Sequence, residues 1–140
     1  MHNIEEKPKI KVAGCFLEHD GRFLILQRCP GKSQGGKWGL PAGRVEQGET
    51  ERDAVIREIR EETGFSIPLE KLEFLQEIVF EFPQKTTDFF VYRVRLGSRF
   101  KVSLELQEHQ ACAWVTGEEC YARDDLINGV HGLLEKTGYA

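Results

Sequence analysis

The segment between Thr50 and Gly64 has the pattern of an α-helix with a signal at each end. Thr50, followed three residues later by Asp53, is typical of a helix start, and Gly64 stands where a left-handed residue ends a helix. One arc of this helix is predicted to pack on a sheet and to be distinct from its acidic face; the arc consists of Ile56, Ile59 and Thr63. The chain is therefore expected to contain a sheet that this helix covers.

Strand-like segments lie on both sides of this helix in the sequence. They are rich in β-branched and aromatic residues, and turn signals such as Asp20-Gly21 separate them. The predicted strands are residues 9–17, 22–27, 38–40, 43–46, 72–82, 87–96 and 111–115. Two further helices are predicted to begin at Thr116 and Asp124, the second with its apolar face from Leu126 onwards. This order predicts an α/β (α+β) fold, an α/β/α sandwich with a mixed central sheet and the first helix packed on it.

Three glutamates share one face of the first helix. Glu58, Glu61 and Glu62 stand at about 0°, 300° and 40° around the axis, with their Cβ atoms about 5–6 Å apart. Three negative charges at that spacing repel one another, and a bound divalent cation relieves the repulsion. Because the set offers only oxygen ligands, it suits Mg²⁺ or Mn²⁺ rather than zinc. Arg57, about 100° to one side of Glu58, is placed to orient or partly neutralise the cluster.

A solvated helix face is the alternative interpretation of these glutamates, since acidic residues are common on exposed helix surfaces. The wider pattern favours the metal site. Residues 43–65 match, position by position, the pattern G-x₅-E-x₇-R-E-U-x-E-E-x-G-U, where U is a bulky apolar residue, and the segment resembles the motif that defines the Nudix hydrolase family. The matching residues are Gly43, Glu49, Arg57, Glu58, Ile59, Glu61, Glu62 and Gly64, with Phe65 where aliphatic residues are usual. Residues 24–28, 38–42, 108–109 and 114–115 also resemble this family, so the likeness covers nearly the whole chain.

The resemblance implies a reaction and a set of site residues. The family hydrolyses the pyrophosphate bond of nucleoside diphosphates linked to another moiety, with Mg²⁺ or Mn²⁺. The implied metal ligands are Glu58, Glu61 and Glu62, with help from Glu49 and from the backbone carbonyl of Ala42. The implied catalytic group is Arg57, Glu58, Glu61 and Glu108, in which Arg57 orients Glu58. Glu58 and Glu108 are both candidates for the base that activates water, and an exposed loop acid is the alternative for Glu108.

A basic segment precedes the acidic one. Residues 22–45 hold five basic residues and no acid, whereas residues 46–62 hold seven acids and three bases. Arg28, Lys37 and Arg44 are predicted to bind substrate phosphates, and solvated charges at a sheet edge are the alternative. His109 is a further candidate for contact with a base or a phosphate.

The predicted substrate is a nucleotide-type small molecule, with a preference for nucleoside triphosphates, including oxidised forms. A nucleotide sugar, ADP-ribose or a dinucleoside polyphosphate is the alternative, and a Nudix module that senses a nucleotide without hydrolysing it is the alternative of another class. The intact glutamates favour the enzyme.

Size, charge and hydropathy narrow the remaining classes. A length of 140 residues predicts one Nudix domain over residues 1–140. The net charge of −4 argues against a stable nucleic-acid partner. No run of about 18 apolar residues is present, so no membrane span is expected, and residues 1–8 lack the apolar run of a signal peptide, so a cytoplasmic location is expected. A homodimer is left open.

Overall fold

Seven strands form one mixed sheet in the computed structural model, which describes residues 7–140. Residues 1–6, on which part of the expected cytoplasmic location rests, lie outside the described residues. The strands are β1 (Lys9–His19), β2 (Arg22–Arg28), β3 (Trp38–Gly39), β4 (Ala42–Arg44), β5 (Leu72–Glu81), β6 (Thr86–Arg95) and β7 (His109–Val115). The helices are α1 (Glu51–Thr63), α2 (Gly117–Tyr121) and α3 (Val130–Thr137), and a short 3₁₀ helix spans Leu69–Lys71.

The sheet forks at β1. This strand runs parallel to β6 along nearly its whole length, and β6 in turn pairs antiparallel with β5. On its other side β1 pairs with β2 only at Glu18 and His19, next to the hairpin turn, and with β4 over residues 12–14. β2 diverges from β1 after the turn and pairs with β3 and β7 instead. The fork therefore places β4 beside the middle of the sheet, where α1 lies over it.

Two cores on opposite faces of the sheet confirm the predicted α/β/α sandwich. Successive residues of a strand point to opposite faces, so β1 and β2 supply both cores. The core under α1 contains Ala13, Cys15, Leu17, Leu24, Leu26, Ala54, Val55 and Ile59. The core under α2 and α3 contains Phe16, Phe23, Ile25, Cys120, Val130, Leu133 and Leu134. No helix within residues 7–140 has the length and apolar character needed to cross a membrane.

α1 begins and ends as predicted. The hydroxyl of Thr50 accepts a hydrogen bond from the backbone N–H of Asp53 at 3.0 Å, and Gly64 has φ 78° at the other end. The prediction of separate apolar and acidic faces is wrong, because Glu62 lies in the buried arc with Val55 and Ile59 and is only 8% exposed. The arc is wider than the isoleucine spacing indicated, and the packing face of the helix includes one of its acids.

The last helix begins later than predicted. α3 starts at Val130, not at Asp124, and Gly129 precedes it with φ 96°. The backbone before it pairs with β3 instead: Trp38 N–H donates to the Asp125 carbonyl, and Ile127 N–H donates to the Trp38 carbonyl, both at 2.9 Å. Helical spacing of the apolar residues could not reveal this pairing, which joins segments almost 90 residues apart.

Candidate functional site

The acidic residues of α1 face β4, the strand that precedes the helix in the chain. Gly43 in β4 lies directly against the carboxylate of Glu58, and a methyl group at this position would overlap that carboxylate. Only a glycine therefore allows Glu58 to lie flat against the strand. This contact gives the first residue of the 43–65 pattern a steric reason.

Arg57 is the centre of an ion-pair network. Its Nε and Nη2 donate to the two oxygens of Glu49 at 2.8 and 2.9 Å, and its Nη1 donates to Glu58 Oε1 at 2.7 Å. A longer contact of 3.3 Å joins Nη1 to Glu61 Oε2, and Nη2 also donates to the Arg44 carbonyl at 3.0 Å. The bidentate pair holds the pKa of Glu49 at about 2 and raises that of Arg57. Arg57 therefore lies against Glu58, and its role in orienting that carboxylate stays a prediction.

Glu62 is the most buried of the three helix glutamates. Its Oε1 accepts a hydrogen bond from the Ala42 N–H at 2.8 Å. Burial raises the pKa of Glu62 well above its usual range, and the negative charges of Glu58 and Glu108 act in the same direction. Burial also raises the pKa of Glu58. Two half-buried or buried carboxyl groups are thus held side by side, where a cation would stabilise their charged forms.

His109 lies next to Glu62, with its Nε2 3.7 Å from Glu62 Oε2. The ring is buried, and its Nδ1 has no hydrogen-bond partner within residues 7–140. Burial lowers the pKa of His109, and the positive charge of Arg28 adds to this. Arg28 is thus the cation that acts on both residues, lowering the pKa of His109 and opposing the rise in the pKa of Glu62.

One cavity collects the acidic side chains. It has a volume of about 650 Å³, and we refer to it as the acidic cavity. Its lining residues are Arg28, Ala42, Gly43, Arg44, Glu58, Glu61, Glu62, Glu105, Gln107 and Glu108. Within residues 7–140 no group of three or more acidic, His or Cys side chains is arranged to hold one ion, and Arg57 forms ion pairs with both Glu58 and Glu61. The donor set nevertheless fits a hard divalent cation, because five carboxylates face the same space and the room at Gly43 admits one of them.

A second cavity of similar volume adjoins the first. It is lined by Phe80, Phe82 and Phe89 on one side and by the segment before α3 on the other, and we refer to it as the aromatic cavity. The two cavities share four lining residues, Arg28, Ala42, Gly43 and Arg44. One elongated ligand can therefore extend from the aromatic cavity, past two arginines, into the acidic cavity.

The structure brings together most of the residues that the sequence singled out, although their roles stay predictions. Arg28 and Arg44 stand where the cavities meet, whereas Lys37 lines neither cavity. Glu49 lines neither cavity, and both of its oxygens accept hydrogen bonds from Arg57. Glu108 lines the acidic cavity and forms an ion pair with Lys32 at 3.2 Å.

Other lining residues were not found from the sequence. Gln34 and Glu105 carry no recognisable motif, and Lys32, which lines neither cavity, forms an ion pair with the lining residue Glu108. Pro30 and the glycines between β2 and β3 indicated a loop there, but not which of its side chains turn towards a cavity. Lys32 comes close to Glu108, and Gln34 to Asn128, only in the folded structure. The sequence therefore carried no signal for either contact.

Comparisons with known proteins identify the family of this chain. Residues 7–135 match the family model of the NUDIX domain. The chain is 32% identical over 110 residues to a CTP pyrophosphohydrolase of Escherichia coli strain K12, an alignment that covers 79% of this chain and 78% of that protein. It is 30% identical over 122 residues to the phosphatase NudJ of Escherichia coli O1:K1, covering 86% and 76%. The crystal structure of a MutT protein from Methanosarcina mazei Go1 is similar, with a TM-score of 0.80 at 26% identity over 96% of each chain.

The family match spans nearly all of the described residues, and the similar proteins are named as hydrolases. The prediction that the chain is a Nudix pyrophosphohydrolase is thus confirmed, whereas the roles of the glutamates stay predictions. Nudix hydrolases generally use divalent metal ions, which agrees with the donors of the acidic cavity. The chain belongs to the Nudix family and is a pyrophosphohydrolase that acts on nucleoside diphosphates linked to another moiety.

Proposed function

We propose that this enzyme hydrolyses nucleoside triphosphates, including oxidised forms, to a nucleoside monophosphate and pyrophosphate. The observation that carries the proposal is the junction of the two cavities at Arg28, Ala42, Gly43 and Arg44. A nucleoside in the aromatic cavity places the phosphate chain beside two arginines and then among the carboxylates. The similarity to a CTP pyrophosphohydrolase over most of both chains supports the same substrate class.

Mg²⁺ or Mn²⁺ is the proposed cofactor, held by Glu58, Glu61 and Glu62 with the Ala42 carbonyl. When bound, such an ion neutralises phosphate charge, lowers the pKa of coordinated water and stabilises the leaving phosphate. The five carboxylates that line the acidic cavity, with neither His nor Cys among the lining residues, support a hard cation. Glu49 contributes through Arg57, since its two oxygens are taken by that guanidinium.

The remaining roles in substrate binding and proton transfer fall to side chains of this protein. Arg28 and Arg44 bind phosphate oxygens at the junction of the cavities, and Lys37 stays a more distant candidate for the same task. Arg57 keeps the carboxylate of Glu58 against Gly43. A water molecule attacks phosphorus, its proton passes to a carboxylate, and the bond to the departing pyrophosphate oxygen breaks. Glu58 and Glu108 both line the cavity and are the two candidates for the proton acceptor.

The size and context of the protein belong to the same proposal. One domain over residues 1–140 and a cytoplasmic location stay predictions, and a homodimer stays open. Nucleotide sugars, ADP-ribose and dinucleoside polyphosphates are the competing substrates.

A substrate panel with a matched pair of variants tests the proposal. Nucleoside triphosphates, 8-oxo-GTP and the three competing substrate types are incubated with Mg²⁺ or Mn²⁺. Phosphate is measured with and without added inorganic pyrophosphatase, and for the conjugates after alkaline phosphatase. We expect triphosphates to yield phosphate only when pyrophosphatase is present, because pyrophosphate is the first product. We expect Glu61→Gln to lower kcat/KM by about 100-fold, whereas Glu70→Gln, the same change at an exposed position in the 3₁₀ helix, leaves it unchanged.

Glu108→Gln separates the two candidate bases. If Glu108 accepts the proton, we expect kcat to fall far more in this variant than its affinity for the metal ion does. No turnover of any substrate, or wild-type turnover by Glu61→Gln, would contradict the proposed function; turnover only of a conjugate would replace the triphosphate with that conjugate. Near-normal turnover by both Glu58→Gln and Glu108→Gln would show that neither is the base.

A further inference from the structure

Gln34 lies in the loop between β2 and β3 and lines the aromatic cavity. Its backbone has φ 54°, and within residues 7–140 only Asp20 is another non-glycine residue with positive φ. Asp20 occupies the hairpin turn between β1 and β2, where such a conformation is common. A glutamine has no intrinsic preference for a positive φ, so the residue type of Gln34 does not account for its backbone conformation. The role of its side chain needs another explanation.

The loop holds Gln34 in a fixed place. Gly36 N–H donates to the Arg28 carbonyl at 2.8 Å, and Gly35 N–H donates to the Lys32 carbonyl at 2.9 Å. Arg28 Nε donates to the Ser33 carbonyl at 2.7 Å. These hydrogen bonds fold the loop back on the end of β2. They fix the backbone from which the side chain of Gln34 extends.

The amide of Gln34 has a defined orientation. The backbone N–H of Asn128 donates to its Oε1 at 2.8 Å, which joins this loop to the segment before α3. A backbone N–H can only donate, so the atom facing it has to be the oxygen. The nitrogen Nε2 then faces away from Asn128, and within residues 7–140 it has no hydrogen-bond acceptor. Gln34, which lines the aromatic cavity, thus has two N–H donors on Nε2 that no acceptor within residues 7–140 uses.

The geometry points to Gln34 as a specificity residue whose amide N–H₂ group donates to a carbonyl oxygen of the nucleobase in the aromatic cavity. This inference rests on the proposed function, since it assigns a nucleoside to that cavity. Cytosine, uracil and guanine each carry a carbonyl oxygen, whereas adenine carries none and presents an amino donor instead. The enzyme therefore prefers nucleotides of the carbonyl-bearing bases to those of adenine.

Replacing Gln34 by glutamate isolates the donor. In Gln34→Glu the oxygen that accepts from Asn128 is kept, so the tether between the loop and α3 is retained, while the N–H₂ group becomes an acceptor. Gln84→Glu is the matched control, because Gln84 is exposed at the rim of the same cavity and receives the same charge. Any general repulsion of phosphates appears in both variants and affects all bases equally.

Isothermal titration calorimetry with CMP, UMP, GMP and AMP measures the preference without any turnover. We expect the wild type to bind the first three more tightly than AMP, and Gln34→Glu to reduce that preference by about fivefold, the effect of one hydrogen bond. Gln84→Glu should keep the wild-type preference. Gln34→Met, which removes both the donor and the tether, should lose the preference as well and serves if the glutamate variant does not fold.

Three results would overturn the inference: a wild type without preference against AMP, an unchanged preference in Gln34→Glu, or no binding of any monophosphate. The proposed function fails separately, through the absence of turnover. If the protein binds these nucleotides with the expected preference but hydrolyses no triphosphate, the role of Gln34 is supported and the proposed reaction is contradicted.

Discussion

The acidic cavity and the aromatic cavity adjoin each other but are built in different ways. The network around Arg57 connects residues that lie within 17 positions of one another along the chain, from Arg44 to Glu61. The wall of the aromatic cavity near α3 instead depends on contacts between the β2–β3 loop, β3 and residues 123–129, which lie almost 90 positions away. The residues proposed for chemistry are thus mostly encoded in one short segment, whereas the pocket for the variable part of the substrate is assembled by the whole fold.

This difference separates the effects of substitutions. Changes in the short segment should alter turnover, because the side chains there touch one another and the proposed reacting atoms. Changes in the distant wall should alter substrate choice or stability more than turnover. A variant that violates this division would show that the two cavities do not act as separate parts.

The largest effect is expected from Gly43→Ala. The added methyl group overlaps the carboxylate of Glu58, and that flexible side chain has to move away from β4. A displacement of about 1 Å in a reacting group lowers the rate by about 100-fold, so we expect kcat/KM to fall by that amount while the free energy of unfolding falls by about 1 kcal/mol, the lower end of the cost of an added methyl group. Steady-state kinetics and chemical denaturation measure the two quantities.

Gly97→Ala is the control for this substitution. Nothing lies within 4 Å of an added methyl group there, and Gly97 has no positive φ. Activity within about threefold of wild type in both variants would show that the position of Glu58 against β4 does not matter for the reaction.

A smaller effect is expected from Asp125→Asn in the distant wall. Asp125 accepts two hydrogen bonds from Arg123, at 2.8 and 3.0 Å, and that guanidinium lies 4.9 Å from the centre of the Trp38 ring. The pair lowers the pKa of Asp125. The Arg123–Asp125 pair therefore stabilises the folded protein at pH values above the pKa of Asp125 in the unfolded chain. This stabilisation is lost as the pH falls through the lower pKa of Asp125 in the folded protein.

Calorimetry at neutral and acidic pH measures this contribution. Both side chains are partly exposed, so solvent screening limits the loss in Asp125→Asn to about 0.5 kcal/mol at pH 7. The difference from wild type should shrink as pH approaches about 3, while kcat stays near its wild-type value. Asp124→Asn, at the exposed neighbouring position, should change neither quantity. A tenfold loss of kcat in Asp125→Asn would contradict the separation of the two cavities.

The same difference explains how far the sequence could predict the structure. Thr50, Gly64 and the glutamates between them carry local signals, so α1, its ends and its acidic face could be predicted. The strand segments and the α/β/α layering also followed from composition and order. The position of Glu62 in the buried arc did not, because the depth of a helix face depends on how closely β4 approaches it.

The region before α3 shows the opposite case. Its apolar residues have helical spacing, yet Asp125 and Ile127 pair with Trp38 and delay the helix to Val130. The carbonyl and amide groups of β3 compete successfully with helix formation there. No local pattern contains that information, and for the same reason Gln34 could not be identified as part of the aromatic cavity.

Binding of Mn²⁺, followed by electron paramagnetic resonance of the free ion, tests the central claim most directly. The claim is that the glutamates facing β4 hold a divalent cation. We expect the wild type and Glu70→Gln to bind Mn²⁺ with the same affinity, and Glu61→Gln to bind it at least about tenfold more weakly. A wild type that leaves Mn²⁺ free, or a Glu61→Gln variant with wild-type affinity, would contradict the claim.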